Sequence, residues 1–367
     1  RRRLIRSKAG QARASLPVIV SILSRSASRT REPENVLNRV ELGRIARLSA
    51  HTIRDHLNDP ACALPGDFPW RDEAGSPAWL SPVLCAGIEG AEVTAVHVED
   101  ASAGSSVRKR IQVAYNAAGE RAGLQTKFFA KTTPTILTRL TSGPSAGQEE
   151  KFFAQIRPEI SIETPVHRIS MHDRISGRSF HLFEDLVATE AAVFCDYRTQ
   201  CSRAEIDAAF DLLATLHGRF FDDPELANSL SWAPTYETFF AALARSGTRA
   251  GHDQAMIEAR HVIPDGILAS AERLWPAAID SLADHGAGPR TLIHSDVHPG
   301  NWYVTGQGKP GLCDWQCIAQ GHWARDIAYA MSAMLDIAQR RAWERDLLDH
   351  YLARPQPPRG PRVRAAG

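Results

Sequence analysis

Three runs of alternating apolar and polar residues follow one another closely: Val93 to Val98, Arg110 to Tyr115 and Gln125 to Lys131. Alternation with a period of two turns one side of each run to a core and the other to water. Between them lie Ala101-Ser102-Ala103-Gly104-Ser105-Ser106 and Ala117-Ala118-Gly119-Glu120, both rich in turn-forming residues. A parallel pair needs a crossover of about a dozen residues or more, and these gaps are too short to hold one. The spacing therefore predicts an antiparallel meander and argues against a parallel βαβ sheet.

Helical periodicity surrounds this stretch. Val36 to about Leu57 repeats apolar residues at three and four (Val40, Leu42, Ile45, Leu48, Ile53), and Ser76-Pro77-Ala78-Trp79-Leu80 reads as a helix start with proline in the first turn. Ala146 to Ile156 is helical, Arg168 to Met171 and Ser179 to Phe183 are strand-like, and the chain is then mostly helical to about Leu282. Within that part, Arg203 to Phe221 keeps Ile206, Phe210, Leu213, Leu216 and Phe220 on one face. Further helices are expected from about Trp323 to Tyr351.

The chemistry concentrates in Leu292-Ile293-His294-Ser295-Asp296-Val297-His298-Pro299-Gly300-Asn301-Trp302, where a strand end delivers the pattern H-x-D-x-x-x-x-N. After a turn at Gly306-Gln307-Gly308, the apolar run Gly311-Leu312-Cys313 ends on a second acid, Asp314. Phosphoryl transfer needs one carboxylate to orient an attacking hydroxyl and accept its proton. It also needs oxygen ligands for a Mg²⁺ ion on the phosphates. Asp296 suits the first role; Asn301 and Asp314 suit the second.

These residues resemble the aminoglycoside phosphotransferase and choline- and ecdysteroid-kinase-like superfamily. His294 to Asn301 resembles its catalytic loop, Leu312-Cys313-Asp314-Trp315 its metal-binding segment, and Gly321-His322-Trp323-Ala324-Arg325-Asp326 the segment that comes next, whose Asp is structural. The resemblance extends upstream to Phe128-Phe129-Ala130-Lys131, the strand with the phosphate-contacting Lys, and to Glu149 as its helical partner. It also takes in Leu182-Phe183-Glu184-Asp185-Leu186 as the hinge that meets adenine, and Leu213-Ala214-Thr215-Leu216-His217.

The resemblance implies a protein-kinase-like two-lobed α+β fold, with a small antiparallel-sheet N-lobe and a larger, mainly helical C-lobe. ATP and Mg²⁺ are the implied cofactors, with Lys131, Glu149, Ser105, Ser106, Glu184 and Leu186 around the nucleotide. The nucleotide loop, Ser102 to Ser106, departs from the pattern by holding a single glycine. The implied organisation is a basic tail over 1–35, a nucleotide-binding lobe over 36–186, a helical lobe with the catalytic loop over 187–353, and a second tail over 354–367.

Composition bounds the partners. The net charge of +1 gives no whole-molecule attraction to nucleic acid or an anionic membrane. The apolar run Leu16 to Leu23 falls far short of the ~20 residues that span a bilayer. Every charged residue before Glu32 is basic, so that stretch reads as a transit segment, a disordered arm or sequence outside the reading frame. Six irregularly spaced cysteines form no disulfide framework and suit a reducing, cytoplasmic setting.

Residues 190–290 carry 15 acids against 8 bases, which favours a cationic acceptor such as an aminoglycoside or choline-like alcohol. Apolar alcohols stay open, and the expected partner is in any case a small-molecule alcohol. Two other readings stand beside the kinase. One is a nucleotide-binding protein without turnover. The other is a metal-dependent hydrolase using the alternating His294, Asp296 and His298, which would share a face on an extended segment.

Overall fold

The computed structural model describes residues 39–58, 76–103, 106–141, 143–244 and 248–354. The N-terminal basic stretch, Ser105 and the stretch from 355 onward, on which expectations were placed, lie outside the described residues. Helices α1 (Arg39–Asn58) and α2 (Pro77–Leu84) lead into strands β1 (Val93–Ala103) and β2 (Val107–Tyr115). Helix α3 (Ala117–Arg121), strand β3 (Lys127–Thr132) and helices α4 (Ile136–Thr141) and α5 (Gly143–Lys151) come next. Strands β4 (His167–Asp173) and β5 (Arg178–Glu184) complete a five-stranded sheet in the order β1-β2-β3-β5-β4, every pairing antiparallel.

The expected meander is thus present, with local differences. The break placed over Ala101 to Ser106 is narrower, because β1 pairs with β2 as far as Ala103↔Val107. The turn at Ala117 to Glu120 is a short helix, since the Asn116 side chain accepts from the Gly119 N–H at 3.1 Å and starts one. The helix expected to reach Ile156 is α-helical only to Lys151 and continues as a π-helical turn over Phe152–Ile156.

Alternation gives the sheet two unlike faces. Ile111, Val113, Phe128, Ala130, Phe180 and Leu182 are buried together with Trp79 and Leu80 of α2. Trp79 meets Phe180 edge to face at 5.3 Å. The opposite face carries a cross-strand row, Arg108↔Lys131↔His181↔Ser170, directed toward the second half of the chain.

Helix α6 (Leu186–Thr189) and strand β6 (Val193–Phe194) precede the long helix α7 (Arg203–Phe220). A capping box between Ser202 and Glu205 starts α7, and its apolar stripe is buried as the periodicity predicts. Helices α8 (Tyr236–Leu243), α9 (Arg249–Glu258), α10 (Asp265–Leu268), α11 (Ala271–Asp280) and α12 (Leu282–Ala287) come after it. Short strands β7 (Thr291–Ile293), β8 (Trp302–Val304), β9 (Pro310–Leu312) and β10 (Ala319–Gly321) then precede helices α13 (Ala324–Met334) and α14 (Ile337–Leu352). This is the two-lobed α+β architecture that the resemblance implies. The lobes are joined by packing as well as by chain: Phe152, Phe153 and Phe183 share a core with α7, Trp302 and Trp315. Phe152 stacks on Trp315 at 3.8 Å with the rings 5° from parallel.

His181 is fully buried, its Nδ1 meets the Ser170 hydroxyl at 3.1 Å, and its Nε2 has no hydrogen bond among the described residues. Burial, reinforced by the charge of Lys131, pushes its pKa well below the ordinary histidine value, so the folded protein holds it neutral. The unfolded chain binds a proton there below about pH 6.5, so this contribution to stability is present above that pH and is lost as pH falls. Urea unfolding between about pH 7.5 and about pH 5.5 should show wild type losing up to about 1.4 kcal/mol per pH unit more than His181→Asn. Equal slopes for the two proteins would contradict it.

Candidate active site

Lys131, the last but one residue of β3, is 7% exposed and sits between two carboxylates. Its Nζ lies 2.8 Å from Glu149 on α5 and 2.7 Å from Asp314, which follows β9. The strand alternation that buries Phe128 and Ala130 on one face turns Phe129 and Lys131 to the other. Lys127, on the same face, is exposed and makes no part of this cluster, and Glu150 is only half-buried. Burial acts to lower the Lys131 pKa, but the charges and hydrogen bonds of Glu149 and Asp314 outweigh it and hold the ammonium above its ordinary value. Burial likewise raises Asp314, yet Lys131 and Arg108 bring its carboxyl below the usual range. For Glu149 burial dominates, with the neighbouring Asp314 charge adding to it, and the carboxyl is raised despite Lys131.

The loop after β7 is held from behind. His294 is fully buried: Nδ1 accepts from the Asp296 N–H at 3.2 Å, and Nε2 faces the Cys313 carbonyl at 3.0 Å. Those partners assign the neutral tautomer with the proton on Nε2, in keeping with the burial that lowers its pKa. Ser295 takes a left-handed conformation (φ 69°), so the N–H groups of His294 and Ser295 both donate to Asp326, at 2.6 and 2.9 Å. Asp326 is fully buried and also faces His217 Nε2 at 3.3 Å, while His217 Nδ1 meets the Tyr351 hydroxyl at 2.8 Å. Burial would raise the Asp326 carboxyl, but the hydrogen bond and charge of His217 bring it below the ordinary value. The Leu-Ala-Thr-Leu-His segment and the Asp of the segment after β10 therefore serve one purpose, fixing the loop.

Held this way, the loop offers Asp296 at its front, with 30% of the side chain exposed. Asn301, 5% exposed, turns its Nδ2 to the Asp296 backbone oxygen at 2.8 Å and to the carboxylate at 3.3 Å. That fixes the amide and leaves its oxygen free for a metal ion, and the Asn301 carbonyl accepts from the Cys313 N–H at 2.9 Å, one residue from Asp314. Asp314 is also left-handed (φ 65°, ψ 63°), a strained conformation for a residue with a Cβ. An amide oxygen and a carboxylate at the edge of one cavity make a donor set that suits Mg²⁺. The alternative zinc-type set does not form, because the backbone takes both ring nitrogens of His294. Among the described residues no group of three or more His, Cys, Asp or Glu converges as a metal site.

A cavity of about 280 Å³ connects these parts. One end is apolar, lined by Phe153, Phe183, Leu186 and Phe194; the other presents Arg108, Lys131, Asn301 and Asp314. Of the hinge residues, Glu184 lines it with its carboxylate paired to Arg168, and Leu186 lines it as a buried side chain. Ser106 is buried, its hydroxyl without a partner among the described residues, and the lining runs instead through Ala101 and Arg108 on either side of that turn. Arg108 was missed in the sequence. Its guanidinium lies 3.7 Å from Asp314, and the available signal was the pair Arg108 and Arg110 at a spacing of two on β2.

A sequence profile of the phosphotransferase enzyme family matches residues 121–365, about two thirds of the chain. No curated protein matches it. Among solved structures, the macrolide 2'-phosphotransferase MphH from Brachybacterium faecium is 17% identical, covering 75% of this chain and 84% of its own, with a TM-score of 0.41. The choline kinase LicA from Streptococcus pneumoniae is 14% identical, covering 71% of this chain and 75% of its own, with a TM-score of 0.36. The GDP complex of wild-type aminoglycoside 2'-phosphotransferase-IIIa is 13% identical, covering 69% and 79%, with a TM-score of 0.42. Likeness this distant says nothing of substrate; the profile match over residues 121–365 is what places the chain, which belongs to the phosphotransferase enzyme family.

Proposed function

We propose that this protein is an ATP-dependent small-molecule O-phosphotransferase that moves the γ-phosphoryl group to the hydroxyl of an alcohol. The observation that carries the reading is Lys131 held between Glu149 and Asp314 at the polar end of the cavity, in line with Asn301 and Asp296. A nucleotide fits with its base among Phe153, Phe183 and Leu186, against the backbone of Glu184 to Leu186, and its phosphates toward Lys131 and Arg108. Asp314 and the Asn301 amide oxygen would hold Mg²⁺, which supplies positive charge against the phosphate oxygens. Asp296 orients the acceptor hydroxyl and accepts its proton as the new phosphoester bond forms and the bond to the ADP leaving group breaks. The neutral His294 keeps Asp296 in position and takes no proton itself. A cytoplasmic setting belongs to the same proposal.

Mg²⁺-dependent ATP consumption over a panel of hydroxylated compounds tests the reading. Asp296→Asn should keep nucleotide binding and lose about 10²- to 10⁴-fold in turnover, the range supplied by a positioned general base. Asp314→Ala should lose Mg²⁺-dependent nucleotide binding as well. A folded wild-type sample that binds no Mg·ATP would sink the proposal. Binding with no turnover for any acceptor would favour a nucleotide-binding protein without catalysis.

Lys131→Met leaves two buried carboxylates without their cation, a change that costs about 3–5 kcal/mol when a buried pair is broken. It should lower the urea midpoint and, by removing charged hydrogen bonds to phosphate, weaken nucleotide binding about 10- to 100-fold. Nucleotide affinity equal to wild type would show that Lys131 serves structure alone.

A further inference from the structure

A second cavity, about 540 Å³, lies on the C-lobe side of Asp296 and is bordered by Ser281, His322, Ala324, Arg325, Tyr329 and Ser332. That volume falls within the range of small-molecule sites. It adjoins the loop of the proposed catalytic carboxylate through Arg325, one terminal nitrogen of which lies 3.5 Å from the carbonyl of Ser295, the residue before Asp296. The first cavity, the loop of Asp296 and this second cavity thus succeed one another, joined by the bond of Asn301 to Asp296 and the approach of Arg325 to the Ser295 carbonyl.

The chemistry of the wall is distinctive. None of its lining side chains is acidic, and Arg325 has no carboxylate within salt-bridge distance among the described residues. The guanidinium is nevertheless fixed. It lies over the rings of Tyr329 and Tyr236, 4.5 and 5.2 Å from their centroids, and its Nε donates to the Tyr236 hydroxyl at 2.6 Å. One terminal nitrogen is 3.5 Å from the Ser295 carbonyl. A guanidinium held flat by two rings has lost its rotamer freedom in advance, and its remaining N–H groups keep the fork geometry that matches a carboxylate or phosphate.

The acid excess of residues 190–290 contributes no side chain to this lining, and several of its members have partners elsewhere: Asp207 on Arg203, Asp211 on His350 and Arg354, Asp223 on Arg219, Glu237 on Arg290. A cationic acceptor entering here would face Arg325 and find no carboxylate in the lining, while Asp296 is needed for the hydroxyl.

We infer that the cavity beside Asp296 takes an alcohol bearing an anionic group, a carboxylate or a phosphate, with that group paired to Arg325 and the hydroxyl directed at Asp296. The inference rests on the phosphotransferase reading above and narrows its acceptor. Tyr329 then holds Arg325 flat, and the serines Ser281 and Ser332 give the rest of the acceptor polar contacts.

The test uses the full chain with Mg²⁺ and a non-hydrolysable ATP analogue, titrating glycerate, glycerol 3-phosphate, glycerol and choline by calorimetry, and then measuring turnover with ATP. At least one of the two anionic probes should bind about 10- to 100-fold more tightly than glycerol and choline, the gain of a charge-assisted pair. The comparison between glycerate and glycerol 3-phosphate tells which anion fits. Arg325→Gln should erase the preference while leaving the affinity for Mg·ATP as in wild type, and Arg325→Lys should restore part of it. Tighter binding of choline, or no preference for either anion, would overturn the inference while leaving the kinase reading intact. So would an Arg325→Gln variant that loses affinity for charged and neutral probes alike. Failure of wild type to bind Mg·ATP would instead remove the kinase reading beneath it.

Discussion

A buried cation between two carboxylates governs how this chain can fold. Lys131 comes from a strand, Glu149 from the helix after it, and Asp314 from a turn more than a hundred and fifty residues later. Removing an ammonium from water costs several kcal/mol, and only close opposite charges with good hydrogen bonds offset that. The arrangement holds when β3, α5 and the end of β9 meet at one point, which fixes the distance between the lobes there. The cross-strand row Arg108, Lys131 and His181 has the same origin: the sheet face that presents Lys131 must present its neighbours, and His181 answers by staying neutral.

A second device fixes the loop that carries Asp296. Two non-glycine residues, Ser295 and Asp314, sit in left-handed conformations that cost about 1–2 kcal/mol each. The strain is offset locally. Asp326 accepts from two successive N–H groups that the left-handed turn brings together, and His217 satisfies another of its lone pairs. The Phe152–Trp315 stack lies under Asp314 and resists its relaxation. The loop is thus shaped by side chains from α7, α13 and the turn after α5 rather than by its own few residues.

Much of this was legible in the sequence because it depends on short-range spacing. Alternation gave the meander; the interval from Asp296 to Asn301 and the Asp at the end of an apolar run singled out three residues that the fold brings together; and Asp326 and His217 stood in recognisable segments. The features that escaped depend on pairing between distant residues. Arg108 looked like any strand arginine until its register placed it beside Lys131. Ser105 and Ser106 stood out by their position between two strands, yet Arg108 reaches the cavity from beyond them. Arg325 is hidden in the sequence as the neighbour of a structural Asp, because two residues adjacent on a helix face different surroundings: Asp326 is turned to the loop and Arg325 to the second cavity. The acid count of the large lobe is coarse for a related reason, since a count is blind to which acids are already paired.

The π-helical turn at Phe152–Ile156 has a bearing on how such chains can diverge. In an α-helix each residue added or removed rotates the rest of the helix by about 100°. Glu149 faces Lys131 while Phe152 and Phe153 face the C-lobe core, and the wide turn reconciles those two directions with the path of the chain into Ile160 and Ile162. Deleting one residue here would leave every side chain chemically unchanged and yet break the relation between them. The interval from the glutamate to the aromatic pair is therefore a ruler: in aligning distant chains, its length should tell more of a shared architecture than the identity of the residues inside it.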